Sequence, residues 1–73
     1  MNWNLEGLCV KGLYMGEYRV SGKVTLSRVA YGGAVQHFVS LDKPLNILGG
    51  AVKRDSGERV IVEHKYITQV SSR

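Results

Sequence analysis

Seventy-three residues allow one domain and no second core, and a chain this short buries only about 60% of the surface that its unfolded form exposes. A single cysteine, Cys9, excludes an intrachain disulfide and a cysteine-rich zinc site, and no apolar stretch approaches the roughly 20 residues that span a bilayer. Ten Lys and Arg against six Asp and Glu leave a net charge of +4, which favours anionic partners, although the basic residues are spread along the chain.

The N-terminus, Met1 to Gly7, has neither a basic start nor an apolar run. With the lone thiol, this points to a soluble protein of a reducing, cytoplasmic compartment, with no membrane partner. Further on, Leu8-Cys9-Val10 and Leu13-Tyr14-Met15 flank Gly12 and read as one or two short strands.

The strongest pattern follows. Tyr18, Val20, Gly22, Val24 and Leu26 alternate with Arg19, Ser21, Lys23, Thr25 and Ser27. A period of two over this length is a half-buried strand with its apolar side inward. The strand is expected to run from Glu17 to Tyr31, well beyond the usual five or six residues. Its alternation changes phase near Ser27-Arg28, where a β-bulge is expected, and Gly22 in mid-strand supports a bend.

Tyr31-Gly32-Gly33-Ala34 suits a tight hairpin, because glycine accepts positive φ without a Cβ clash. Beyond it Val35, His37, Val39 and Leu41 alternate with Ala34, Gln36, Phe38 and Ser40 and form the antiparallel return strand. Asp42-Lys43-Pro44 ends that strand, and Leu45 to Leu48 make a short third one closed by Gly49-Gly50. Ala51 to Arg54 is expected to pair with Arg59 to Val62 across Asp55-Ser56-Gly57-Glu58. Val60-Ile61-Val62 reads as a central, buried strand. Glu63 to Tyr66 interrupts it, Ile67 to Val70 is the last strand, and Ser71 to Arg73 is a loose tail.

The expected fold is therefore all-β: one domain over residues 1–73, a small antiparallel five- to six-stranded barrel built around a long bent β-hairpin. The closing pattern, an apolar strand, a polar turn and a short final strand, resembles SH3-like or Tudor-type barrels over about Leu8 to Val70. That resemblance implies architecture and no activity. A second resemblance rests on Tyr18 to Val24, Ser27 to Gly33, Gln36-His37 and Val62-Glu63-His64. These runs are similar to those of small uncharacterised proteins of tailed bacteriophages. The resemblance implies an accessory viral protein working in the cytoplasm of a bacterial host, and it supplies no site.

No residue pattern carries recognisable catalysis, and the chain reads as a binding protein that needs no cofactor. His37 and His64 are the only histidines, and their spacing does not bring them together for metal binding. His37 is expected to be a partly buried strand residue and His64 a local hydrogen-bonding or capping residue. Cys9, between Leu8 and Val10, reads as a buried, inert thiol. The binding face is expected on the outward side of the long strand, where Arg19, Lys23 and Arg28 meet phosphates and Tyr31 and Phe38 stack on bases. Arg54, in the loop Lys53 to Arg59, is a further candidate.

The partner is then a host protein, nucleic acid or an anionic nucleotide. Apolar groups on both faces of the hairpin, Val29, Tyr31, Val35 and Phe38, point to a homo-oligomer. The alternative is a structural, virion-associated protein whose oligomeric contacts are its function.

Overall fold

The computed structural model describes residues 3–71, with the side chain of Leu48 left aside. Seven strands run in chain order: β1 (Cys9–Tyr14), β2 (Tyr18–Val29), β3 (Val35–Leu41), β4 (Leu45–Ile47), β5 (Val52–Arg54), β6 (Arg59–Glu63) and β7 (Ile67–Ser71). All pairings are antiparallel. Five strands make one sheet in the order β6-β3-β2-β1-β7, and β4 and β5 make a separate two-stranded ribbon. The architecture is all-β, as composition and alternation required. The expected closed barrel is not formed by hydrogen bonding: β6 and β7 stand at opposite edges of the five-stranded sheet, unpaired with each other.

The long hairpin holds the sheet together. Positive φ at Gly32 and Gly33 turns the chain, with Gly33 N–H donating to the Ala30 carbonyl at 3.0 Å. One face of β2 and β3 buries Val20, Val24, Val39 and Leu41, and β6 adds Val60 and Val62 to the same core. Leu5, from before β1, Val10, from β1, and Leu45 and Ile47, from β4, belong to the same core. Where β2 crosses β3, Gly22 lies so close that a Cβ would sit 1.9 Å from the Ser40 carbonyl oxygen. This is a close backbone approach that only glycine permits.

Three expectations need correction. The bulge lies between Val24 and Leu26, not near Ser27-Arg28. It turns Leu26 outward and Ser27 inward. The cause is the N-terminal segment, which bonds β2 at this point: Gly7 N–H to the Val24 carbonyl (2.8 Å) and Val24 N–H to the Leu8 carbonyl (2.9 Å). β5 pairs with β4 and not with Arg59–Val62. β5 offers no buried side chain, whereas pairing β6 with β3 buries Val60 and Val62. For the same reason Val60-Ile61-Val62 is not central. It is an edge strand with alternating burial, and Ile61 is 40% exposed. At the C-terminus Ser71 belongs to β7, and the rest of the expected loose tail lies outside the described residues.

Candidate functional site

Pairing of β1 with β2 sets Lys11 opposite Ser21 and Leu13 opposite Arg19. Directly opposite residues share a face of the sheet, so a short patch of two adjacent strands carries two cations beside an apolar group. The turn after β3 brings a third. Asp42 N–H donates to the Ser21 carbonyl (3.1 Å), and the Ser21 hydroxyl donates to Asp42 Oδ1 (2.6 Å). These two bonds hold the turn that carries Lys43 and Pro44 against β2.

The result is an open cleft of about 720 Å³. Lys11, Arg19 and Lys43 line it, over a floor that includes Leu13, Leu41 and Leu45. No carboxylate lines it among the described residues. Asp42 is bonded to Ser21 on the wall and lines an adjoining small hollow that shares Lys11 and Ser21 with the cleft. Thr68, also on the wall, spends its hydroxyl on the Lys11 carbonyl (3.2 Å), which ties β7 to β1 beneath the cleft. With both nearby hydroxyls engaged, the cations are the groups left to meet a ligand. Three positive charges converging without a lining acid favour an anion, and fixed apolar walls favour one with an organic body.

Of the residues nominated from sequence, only Arg19 lines this cleft. Lys23 lies further along the same face of β2, exposed, opposite Cys9 on one side and Ser40 on the other. Arg28 is nine residues from Arg19, or roughly 30 Å of extended chain. Its guanidinium stacks on the Phe38 ring, 5.2 Å from the centroid, and is held there by Gln36 Oε1 (3.2 and 3.3 Å). Tyr31 is fully exposed at the hairpin tip. Arg54 lies on the ribbon and pairs loosely with Glu58 (3.9 Å). The expected strip from Arg19 to Arg28 is thus two separate places. Lys11 and Lys43 were not legible as site residues, because only cross-strand pairing and the Asp42 turn bring them to Arg19.

A second constellation lies inside the molecule. His37 is fully buried, more so than its alternation suggested. Its Nδ1 meets the Ser27 Oγ at 2.7 Å, and its Nε2 meets His64 Nδ1 at 2.8 Å. His64 stands on a 3-10 turn, His64–Tyr66, between β6 and β7. Leu5 N–H donates to the Ser27 hydroxyl (3.1 Å), and Ser27 N–H donates to Glu6 Oε2 (2.8 Å). The chain from His64 through His37 to Ser27 therefore ends on the N-terminal segment. Burial, and then the charge of His64, lower the His37 pKa below its ordinary value of 6.5. Ser27 is 6% exposed and lies under the Leu5 backbone, so this chain ties elements together and offers no approach to a substrate.

Cys9 is half-buried between Lys23 and Ser71. Among the described residues no group of three His, Cys, Asp or Glu side chains is placed to hold a metal ion, and no helix is long and apolar enough to cross a membrane.

Fold and cleft together define a small all-β protein with a cationic surface cleft. No protein-family model, curated protein or solved structure matches the chain.

Proposed function

We propose that the protein is a binding protein for a small phosphate-bearing anion of the nucleotide class, held in the Lys11–Arg19–Lys43 cleft. The observation that carries this reading is the convergence of three cations from three separate segments on an apolar-floored cleft with no lining carboxylate. The volume suits one compact ligand, within the roughly 300–1,000 Å³ typical of such sites. Lysines meet phosphate as point charges, and Arg19 adds a two-toothed donor.

An extended nucleic acid is the weaker reading. It would need exposed aromatic rings beside the cations, whereas Tyr31 and Phe38 lie towards the other end of β2 and Tyr14 and Tyr18, at the cleft end, pack against the core. The strand order, with the last strand beside the first after a single 3-10 turn, supports taking the fold as SH3-like. The resemblance of the β2–β3 region to tailed-phage proteins supports an accessory role in the host cytoplasm, where sequestering an anionic metabolite requires no catalysis.

Calorimetric titration with ADP and with pyrophosphate tests the reading. Arg19→Ala, Lys11→Ala and Lys43→Ala should each weaken binding about tenfold or more, the scale of one charge-assisted hydrogen bond. Arg28→Ala should leave it unchanged. Equal losses in Arg28→Ala and Arg19→Ala, or no binding of either anion, would overturn it.

A further inference from the structure

We propose that the free edge of β6 is a self-pairing edge, through which two copies of this chain join their sheets about a two-fold axis at Ile61. The strand reads Arg59-Val60-Ile61-Val62-Glu63. Placed antiparallel against itself and centred on Ile61, Arg59 falls opposite Glu63 of the second copy and Val60 opposite Val62. Both ends of the seam then carry an opposite-charge pair, and the sequence is complementary to its own reverse. Directly opposite charges and β-branched pairs are the contacts that stabilise neighbouring strands.

β6 is an edge strand of the five-stranded sheet, with no hydrogen-bonded strand on its outer side among the described residues. β6 pairs with β3 in unbroken register from Gln36–Glu63 to Ser40–Arg59. It carries no proline, bulge or inward charge, and its two charges, Arg59 and Glu63, are of opposite sign. The opposite edge differs. β7 meets β1 with a register shift at Lys11/Gly12, and Ile67–Ser71 contains no charged residue to set a self-pairing register. The β6 edge is therefore the one built for a second copy.

On the outer face Leu26 lies opposite Phe38, and Phe38 opposite Ile61, forming an apolar row across three strands that ends at the β6 edge. Leu26 and Ile61 are both about two-fifths exposed. Pairing at Ile61 continues this row into its symmetry copy, so six apolar groups form one uninterrupted stripe. On the inner face Val60 and Val62, already in the core, continue the interior of one sheet into the next.

Sedimentation equilibrium of the whole chain, from micromolar to millimolar concentration, reads the association. Wild type should pass from monomer to dimer. Arg59→Glu and Glu63→Arg each place like charges at both ends of the seam and should weaken the dimer about tenfold or more. The double exchange Arg59→Glu/Glu63→Arg should restore it, and so should an equimolar mixture of the two single variants. Circular dichroism establishes that each variant is folded. Independently of any variant, isotope-filtered NMR on a mixed-label wild-type sample should show Ile61 of one copy against Ile61 of the other. A wild-type monomer throughout the range, a dimer indifferent to either single exchange, or folded variants that the double exchange does not restore would overturn the proposal.

Discussion

His37 Nε2 lies 2.8 Å from His64 Nδ1, and this contact connects the buried interior of β3 to an exposed turn. Two facing imidazole nitrogens share one proton. A second proton on the pair removes the bond and places charge in the core, which is why burial and His64 both depress the His37 pKa. The unfolded chain, with an ordinary pKa of about 6.5, takes up that proton at a higher pH than the folded protein does. Stability from this group is thus fully present above pH ~6.5 and is lost as the pH falls below it, until the folded-state pKa is passed. Denaturant unfolding at a series of pH values should show this decline, and NMR titration should place His37 below 6.5. His64→Gln should move it back upward. A His37 that titrates above 6.5, or stability that rises on acidification, contradicts the account.

Ser27 joins this pair to the N-terminal segment. Ser27→Ala removes the acceptor of Leu5 N–H and the partner of His37 Nδ1, leaving buried polar groups unsatisfied. The expected loss is about 1–3 kcal/mol in unfolding free energy. Hydrogen exchange should also speed up at Leu5 and Gly7 more than at the β3–β6 pairing. Uniform acceleration across the sheet would show that Ser27 holds no particular segment.

The crossing at Gly22 gives a sharper test. A Cβ there would penetrate the Ser40 carbonyl, so β2 and β3 must part for any other residue. Gly22→Ala should cost at least the ~3 kcal/mol at the upper end of ordinary overpacking. Gly32→Ala has open space around it and should cost only the ~1–2 kcal/mol of its left-handed backbone. Comparable costs at both positions would count against the close approach.

Met15 supplies a stabilising prediction. It is exposed and takes φ 58° beside Gly16 at φ 71°, the pair of positive angles required in the turn between β1 and β2. A side-chain-bearing residue in this region costs about 1–2 kcal/mol. Met15→Gly should recover part of that, raising the unfolding midpoint, and Met15→Val should lower it. A destabilised Met15→Gly would mean that the methionine side chain contributes contacts larger than its backbone strain.

What was legible in the sequence was whatever local pattern decides. The hairpin from Tyr18 to Leu41 follows from alternation and from two glycines that can take positive φ, and both were visible. The position of the bulge was not. It depends on hydrogen bonds from Glu6, Gly7 and Leu8 to a strand some twenty residues away. The pairing of Ala51–Arg54 failed for a related reason. The turn at Asp55–Glu58 is real, with Glu58 N–H bonded to the Asp55 carbonyl at 3.1 Å. Burial of Val60 and Val62 against β3 nevertheless outweighs the short ladder that such a hairpin would form.

The same limit applies to function. Arg19 was legible as an outward cation on a strand, but Lys11 and Lys43 become site residues only through the register of β1 on β2 and the Ser21–Asp42 bond. His37 and His64, 27 residues apart, show no spacing that announces their contact.

The proposed function puts the anion in the cleft and not at the hairpin. Amide chemical-shift mapping during titration with pyrophosphate tests it most directly. The account predicts saturable shifts centred on Lys11, Arg19, Ser21, Lys43 and Thr68, with the Arg28–Gln36 region unmoved. Shifts centred instead on Arg28 to Phe38, or none as pyrophosphate is raised, would contradict it.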